Sequence, residues 1–131
     1  MRVVVIGGPL SGKSTYSSTY GLPVYCTDPK SLVRTLNANV MYLPEGLGWS
    51  EGSEYVAKNW LSKPGDWVIE GTGAIRALRK WGGMPDKIVY ITNMHPDQEP
   101  LPGQMAMAVS ISTMWEEIRS KYEPITKYLK W

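Results

Sequence analysis

The chain has 131 residues, of which 43% are apolar and 20% are charged, and its formal net charge is +2 at pH 7. This length suits a single domain, and this composition excludes an intrinsically disordered chain. Lys and Arg are scattered along the sequence, so the charge gives no support for a nucleic-acid-binding or membrane-binding surface. We therefore predict one domain over residues 1–131.

Cysteine content and hydropathy indicate a cytoplasmic protein. Cys26 is the single cysteine, so no internal disulfide forms. No apolar run approaches the roughly 20 residues of a membrane span, and the apolar run at residues 3–6 is too short for a signal peptide core. We expect a cytoplasmic location and no membrane partner.

Short apolar runs alternate with stretches that have apolar residues at helical spacing. Buried strands are predicted over residues 3–6, 23–27, 67–69 and 87–92. Helices are predicted to begin near residues 13, 28, 50 and 74, and a longer helix is predicted with a buried stripe from Ala108 to Tyr122. Residues 38–49 and 93–103 are rich in Pro and Gly and are predicted to be irregular. Strands separated by helices indicate an α/β fold with a parallel sheet.

Residues 7–14, with the sequence GGPLSGKS, match the phosphate-binding pattern G-x-x-x-x-G-K-[ST] between a predicted strand and a predicted helix. Glycines let the backbone turn tightly and direct its N–H groups towards phosphate oxygens. In such a loop Lys13 bridges the β- and γ-phosphates, Ser14 gives its hydroxyl to Mg²⁺, and Thr15 supports the α-phosphate. The alternative is a glycine-rich turn with a chance lysine. The residues expected to bind the nucleotide are Gly7, Gly8, Pro9, Leu10, Ser11, Gly12, Lys13, Ser14 and Thr15.

Through this motif and its α/β order, the chain resembles the P-loop NTPases. The resemblance implies a three-layer sandwich whose small parallel sheet has about four strands in the order 2-3-1-4, with ATP or another triphosphate and Mg²⁺ as ligands. Guanine-specific members carry [NT]-K-x-D after a late strand, and residues 91–95, ITNMH, lack both the Lys and the Asp. Residues 68–73, VIEGTG, resemble the D-x-x-G switch element with Glu in place of Asp, so a switch protein stays open.

A second resemblance is to small-substrate P-loop kinases, such as nucleoside monophosphate and polynucleotide kinases. In these proteins a strand ends in an acidic residue and glycine and is followed by an arginine, as in Glu70-Gly71 and Arg76 here. The carboxylate holds Mg²⁺ through water, and the guanidinium clamps a phosphate. Arg79, one turn further on, is a second candidate clamp or part of a solvated helix face.

The segment from Asp28 to Arg34 resembles the acceptor side of the same kinases. There Asp28 would accept the proton of the attacking hydroxyl, and Arg34 would hold an acceptor phosphate. Asp28 before Pro29 is also an ordinary helix N-cap, and the two roles are compatible. The catalytic residues implied by the resemblance are Lys13, Asp28 and Arg76.

The leading hypothesis is phosphoryl transfer from ATP to a small hydroxyl or phosphate acceptor, most simply a nucleotide or a nucleic-acid end. The rival hypothesis is a nucleotide-binding regulatory or switch module with little transferase activity. Two features of the kinases are not found in the sequence. The sequence shows no fifth strand after residues 87–92, whose following loop packs on adenine in those kinases. It also shows no arginine-bearing lid, since residues 93–114 contain neither Arg nor Lys.

Overall fold

One parallel sheet of six strands organises the chain, in a computed structural model that describes residues 1–33 and 35–131. The strands are β1 Arg2–Gly7, β2 Val24–Cys26, β3 Val40–Tyr42, β4 Trp67–Gly71, β5 Lys87–Ile91 and β6 Thr126–Leu129. The helices are α1 Lys13–Ser18, α2 Trp49–Val56, α3 Ala74–Trp81 and α4 Pro102–Tyr122, and α2 continues as a π-helical turn over Ala57–Leu61. The strand order is β3-β2-β4-β1-β5-β6.

The central strand β1 is buried on both faces. Its apolar run pairs in parallel with β4 on one side and β5 on the other. Val3 and Val5 face one apolar cluster while Val4 and Ile6 face the other, and all four side chains are fully buried. This burial explains why the strand is an unbroken β-branched run rather than an alternating one. The position of β1 between β4 and β5 also places the loop after Gly7 at the centre of the sheet's carboxyl edge.

Helices cover both faces of the sheet, which gives a three-layer arrangement. On one face, Tyr16 of α1 and Tyr20 beyond its end pack against the cluster that contains Val3 and Val5. On the opposite face, residues of α2, α3 and α4 pack around the larger cluster, among them Val56, Ile75, Leu78, Ile111 and Trp115. The predicted α/β class with a parallel sheet flanked by helices is confirmed.

The four predicted strands correspond to β2, β4, β1 and β5, which are neighbours in the predicted order. The prediction of about four strands is nevertheless wrong, because β3 and β6 extend the sheet at its two edges. It follows that the expectation of no fifth strand beyond residues 87–92 is also wrong, since β6 pairs with β5. Both edge strands are short and partly exposed, at Met41 and Tyr128 for example. Such strands lack the continuous apolar pattern that identified the central ones.

The helix predicted to begin at Asp28 is wrong. The described chain forms a single 3₁₀ turn over Lys30–Leu32, and the apolar residues Leu32 and Leu36 are 69% and 53% exposed. The physical reason is that the Asp28 carboxylate does not cap a helix. Its Oδ1 instead accepts hydrogen bonds from Thr72, after β4. Arg34 lies outside the described residues.

The helix α4 begins earlier than predicted, within the segment expected to be irregular. Pro102 occupies the first helical position, where its missing N–H costs no hydrogen bond. Gln104 accepts a hydrogen bond from the backbone N–H of Leu101 through its side-chain oxygen, at 2.9 Å, and so secures this start. In the described part of the chain, no helix has the length and apolar character that crossing a membrane requires.

Gly71 sits where β4 ends against the end of β2. Its φ is +134°, and a Cβ there would lie 2.2 Å from Thr27 Oγ1 and 3.0 Å from the Thr27 backbone nitrogen. The Thr27 N–H donates to the Glu70 carbonyl at 2.8 Å, which holds the two strand ends together. Both the backbone conformation and the available space therefore require glycine.

We expect Gly71→Ala to lower the free energy of unfolding by at least about 2 kcal/mol, because it combines backbone strain with a steric clash. Gly65→Ala is the matched control, since Gly65 also has a positive φ, +96°, but no atom lies within 4 Å of a Cβ there. That control should lose only about 1 kcal/mol. Urea unfolding of both variants measures the difference, and equal losses would contradict the clash.

Candidate functional site

The loop between β1 and α1 has an unusual backbone conformation. Leu10 has φ +61°, and it is the one non-glycine residue with a positive φ among those the structure describes. Gly12 has φ +80° and precedes the first turn of α1. Non-glycine residues adopt this conformation rarely and at a cost, and such strain is concentrated at binding sites. The loop that matches the phosphate-binding pattern is thus held in a special shape.

Lys13 is the buried cation of this loop. Its side chain is 6% exposed, and Nζ donates to the Gly8 carbonyl at 3.2 Å, so it lies back across the loop. The helix α4 covers the loop from the other side. A Cβ on Gly8 would lie 2.9 Å from the Ala108 Cβ, so a larger residue at position 8 does not fit. The loop is therefore enclosed between the sheet and α4.

Glu70 brings a buried carboxylate to the same place. It lies near the end of β4 and is 2% exposed. Its Oε1 accepts a hydrogen bond from Ser14 Oγ at 3.2 Å, while its Oε2 is buried without a partner among the described residues. Burial raises the pKa of Glu70, the charge of Lys13 opposes this rise, and the charge of Asp28 adds to it. The structure thus brings Lys13 and Ser14 of the loop together with Glu70 and Asp28, which the sequence predicted from two other segments.

The pair Ser14 and Glu70 fits the divalent cation that the motif implies. Mg²⁺ prefers oxygen ligands and is held in proteins by one or two carboxylates together with phosphate groups and water. The buried, unpartnered Oε2 of Glu70 is the kind of acceptor that a cation would satisfy. In the described part of the chain, no cluster of three or more His, Cys, Asp or Glu residues could bind a metal by itself. The donor set therefore fits a cation that arrives with a polyphosphate.

A second unpartnered polar atom lies within the loop itself. Ser11 is 1% exposed, and its Oγ has no hydrogen-bond partner among the described residues. The side chain folds back over Gly7, where a Cβ would lie 2.5 Å from Ser11 Oγ. Buried hydroxyls without partners are uncommon in folded proteins. Ser11 Oγ and Glu70 Oε2 are both unsatisfied beside Lys13.

Asp28 is fixed at the end of β2. Its Oδ1 accepts hydrogen bonds from the Thr72 N–H at 2.7 Å and from Thr72 Oγ1 at 2.5 Å. Next to it, Thr27 Oγ1 accepts from the Gly73 N–H at 3.1 Å. Because Cys26 pairs with Glu70 across β2 and β4, Asp28 follows two residues after the partner of Glu70, and its charge adds to the raised pKa of Glu70. Asp28 is therefore held beside the loop by the segment that follows β4.

A cavity of about 750 Å³ opens next to Asp28. Thr27, the neighbour of Asp28, and Gly73 form part of its wall, whereas neither Asp28 nor Glu70 lines it. Its size is within the usual range for small-molecule sites. The remaining lining comes from the segment between β2 and β3, the segment after β3 and the helix α2. These residues are Pro29, Lys30, Ser31, Leu36, Leu43, Pro44, Glu45, Gly46, Leu47, Gly48, Trp49, Gly52, Ser53 and Val56.

The structure separates the two arginines of α3. Arg76 is half-buried and lines a cavity of about 280 Å³ between α3 and α4, and this cavity shares Trp49 and Gly73 with the larger one. Arg79 is exposed and forms an ion pair with Glu117 of α4 at 2.8 Å. Arg76 thus faces the cavities, whereas Arg79 holds α3 to α4 at the surface.

Residues from distant parts of the chain brace the loop, and no sequence pattern predicted these contacts. After β6, Trp131 Nε1 donates to the Ser11 carbonyl at 2.8 Å, and the Trp131 backbone N–H donates to Asn93 Oδ1 at 2.9 Å. The His95 ring lies 4.4 Å from the indole, centroid to centroid, and the His95 N–H donates to the Leu10 carbonyl at 2.8 Å. No local pattern signals the contacts with Ser11 and Leu10, because each joins the loop to a distant part of the chain. A third cavity, of about 290 Å³, lies beside Trp131 and the first turns of α1.

Cys26 is a buried residue of β2, with 3% of its surface exposed, and it lines none of these three cavities. Burial raises the pKa of its thiol, and the charges of Glu70 and Asp28 raise it further. A thiol that stays protonated at neutral pH is a packed residue rather than a nucleophile.

No protein-family model matches this chain, and no curated protein matches it. Function is therefore inferred from the residues themselves. They offer a buried ammonium, a hydroxyl and a buried carboxylate on one loop and strand end, next to a ligand-sized cavity. This chemistry suits a polyphosphate bound together with a divalent cation.

The raised pKa of Glu70 predicts a pH-dependent stability. Because the folded-state pKa lies above the ordinary value of 4.5, the folded protein holds this proton more tightly than the unfolded chain. The stability that this proton contributes is then fully present below pH 4.5, and this contribution is lost as the pH rises towards the folded-state pKa of Glu70. In Glu70→Gln this loss should disappear, so the variant's stability relative to the native protein should increase as pH rises from 4.5 to 8. Urea unfolding without nucleotide at several pH values measures the difference in free energy of unfolding between the variant and the native protein. A difference that does not change with pH would contradict the raised pKa of Glu70.

Proposed function

We propose that this chain is a P-loop NTPase that resembles the small-substrate kinases. It binds a nucleoside triphosphate, ATP in the first instance, with Mg²⁺, and it transfers the terminal phosphoryl group to a small hydroxyl or phosphate acceptor. The observation that carries the proposal is the contact between Ser14 Oγ and Glu70 Oε1 at 3.2 Å, beside buried Lys13. The motif supplies Lys13 and Ser14, but the acidic partner comes from a strand 56 residues further along the chain.

In the bound state, Lys13 exchanges one acceptor for another. Its Nζ leaves the Gly8 carbonyl and donates to oxygens of the β- and γ-phosphates. The positive charge of Lys13 then compensates the negative charge of the phosphates. Ser14 and Glu70 would hold Mg²⁺, which would neutralise negative charge on the phosphates. The unpartnered Glu70 Oε2 and Ser11 Oγ gain partners at the same time. Binding thus relieves the two unsatisfied buried atoms of the site.

Transfer uses the cavity of about 750 Å³ as the acceptor site. An acceptor in this cavity contacts Thr27 and Pro29, the neighbours of Asp28 in the chain, and extends its hydroxyl to Asp28. Asp28 takes the proton as the acceptor oxygen bonds to the γ-phosphorus. The bond from that phosphorus to the β–γ bridging oxygen breaks, and the diphosphate leaves. A phosphate acceptor attacks in the same way without giving up a proton. Thr72 keeps Asp28 in position through its two hydrogen bonds to Oδ1.

Arg76 is the residue best placed to supply the positive charge that a lid arginine supplies in the small-substrate kinases. Residues 93–114 have no Arg or Lys, and within this segment α4 contacts the loop through Ala108. Arg76 faces α4 across the cavity of about 280 Å³ and lies next to Thr72 and Gly73. From there it can stabilise charge on the transferring group or on the acceptor phosphate. Arg79 is already paired with Glu117 and is the weaker candidate.

A specific observation favours the rival function, a regulatory module that binds a nucleotide without efficient transfer. Asp28 Oδ1 is already engaged by both hydrogen-bond donors of Thr72, which is sufficient reason for an acidic residue at this position. A purely structural Asp28 would leave the triphosphate site intact and the acceptor cavity without a base. The two functions therefore differ in transfer and agree in binding.

Replacing Lys13 with Ala should abolish measurable triphosphate binding, because no other residue supplies the ammonium within the loop. Isothermal titration calorimetry with ATP and Mg²⁺ measures this, and the expected loss of affinity is at least about 100-fold. Lys58→Ala is the matched control, since Lys58 is an exposed lysine at the end of α2 and far along the chain from the loop. If Lys13→Ala binds ATP with native affinity, the proposed site is wrong.

Transfer is tested with γ-labelled ATP and a panel of nucleosides, nucleotides and 5′-hydroxyl oligonucleotides. We expect label on one acceptor class, and we expect Asp28→Asn and Arg76→Ala to reduce labelling at least about 100-fold while ATP affinity changes little. Lys58→Ala again serves as the control. Binding of ATP without label on any acceptor would reject the kinase and favour the regulatory module.

A further inference from the structure

We infer that the side of the sheet on which α1 packs binds single-stranded nucleic acid, with lysines on the phosphates and tyrosine rings against the bases. This surface, the lysine face, consists of Lys87, Lys127 and Lys130 together with Tyr16 and Tyr20. None of these residues belongs to the phosphate-binding loop or to the acceptor cavity. The inference therefore does not depend on the proposed triphosphate site, and it adds a macromolecular partner to the small ligands proposed above.

The register of β5 and β6 brings the lysines together. Lys127 pairs with Val89, and Lys87 is two residues before Val89 on the same strand. Side chains two residues apart in a strand share a face, so both lysines lie on the face where Tyr16 packs near Val89. Lys130 lines a cavity together with Tyr16 and so lies on the same side. At about 3.3 Å for each residue of a strand, the row from Lys87 to Lys130 is roughly 17 Å long, which about five stacked nucleotides cover.

The charge of the lysine face is uncompensated among the described residues. Residues 7–27, which include α1, and residues 126–131, which include β6, contain no Asp or Glu. The acids that precede the two strands, Asp86 and Glu123, each form an ion pair with an arginine. None of the three lysines forms an ion pair with a described residue. The fold thus gathers, on one side of the sheet, cations that are scattered in the sequence.

Tyr16 and Tyr20 add aromatic surface beside these cations. Both side chains are half-buried, their rings meet edge to face at 5.6 Å between centroids, and their hydroxyls are hydrogen-bonded at 3.0 Å. Lys87 Nζ lies 5.6 Å from the centre of the Tyr20 ring. Burial and the hydrogen bond with Tyr20 raise the pKa of Tyr16, and the charges of Lys87 and Lys127 lower it in part. The Tyr16 hydroxyl is therefore uncharged at neutral pH and leaves the positive charge of the lysines intact.

This combination favours a single strand over other anions. Proteins that bind single-stranded nucleic acid use cations to follow the phosphates and aromatic rings to stack on the bases. In a duplex the bases stack on one another, so the tyrosines would contribute little. Recognition of an anionic membrane by charge takes clusters of about 4–8 basic residues, more than the lysine face has.

The experiment measures the fluorescence anisotropy of a labelled single-stranded DNA of about 20 nucleotides and mixed sequence, without ATP or Mg²⁺. For the native protein we expect the logarithm of the association constant to fall with the logarithm of the salt concentration, with a slope of about −2 for three lysines. For Lys127→Ala we expect at least about threefold weaker binding at about 50 mM salt, and a slope less steep by about 0.7.

Two variants control for this effect. Lys127→Arg keeps the charge and should bind the strand as the native protein does. Lys58→Ala removes an exposed lysine of the π-helical turn, outside the lysine face, and should also bind as the native protein does.

Four results would overturn the inference. They are no binding of the single strand at about 50 mM salt, equal losses in Lys127→Ala and Lys58→Ala, tighter binding of the matching duplex or of phosphatidylserine vesicles, and complete displacement of the strand by excess ATP with Mg²⁺. The last result would locate the strand at the triphosphate site. A protein that binds the strand but not ATP would reject the proposed function and support the lysine face.

Discussion

The buried carboxylate of Glu70, in contact with Ser14 and close to Lys13, is the interaction on which the rest of this site depends. A carboxylate at 2% exposure is costly unless charge and hydrogen bonds compensate it, and here the compensation is incomplete because Oε2 has no partner among the described residues. The raised pKa of Glu70 expresses the same cost. A site with an uncompensated buried acid beside a buried ammonium is arranged for a charged ligand rather than for maximal stability.

The sheet explains how residues from distant parts of the chain meet at this acid. Parallel pairing of β1, β4 and β2 aligns their carboxyl ends, so the loop after β1, Glu70 and Asp28 lie side by side. Gly71 permits the close approach of β4 and β2, and Thr72 fixes Asp28 there. On the other side of the loop, the strand order places β6 and Trp131 beside α1. The loop is therefore flanked by both halves of the sheet, with β4 and β2 on one side and β5 and β6 on the other.

Local patterns predicted the centre of this fold and failed at its edges. The run at residues 3–6 and the motif at residues 7–14 are contiguous, so their conformation follows from neighbouring residues. The pairing of Ser14 with Glu70 was also foreseeable, because both follow from motifs at predicted strand ends. Trp131 was not, because its contact with Ser11 depends on an edge strand too short and too exposed to have a clear pattern. Asp28 was given two roles, a proton acceptor and a helix N-cap, and the N-cap prediction failed because sequence cannot show that its carboxylate is already bound across the sheet.

The proposed function requires that the loop hold a triphosphate between Lys13 and the pair formed by Ser14 and Glu70. A crystal structure of the protein with Mg²⁺ and a non-hydrolysable ATP analogue tests it most directly. We predict that Lys13 Nζ leaves the Gly8 carbonyl and lies within hydrogen-bond distance of β- and γ-phosphate oxygens, with the cation between Ser14 and Glu70. A nucleotide bound elsewhere, with Lys13 still on Gly8 and no density in the loop, would contradict the claim.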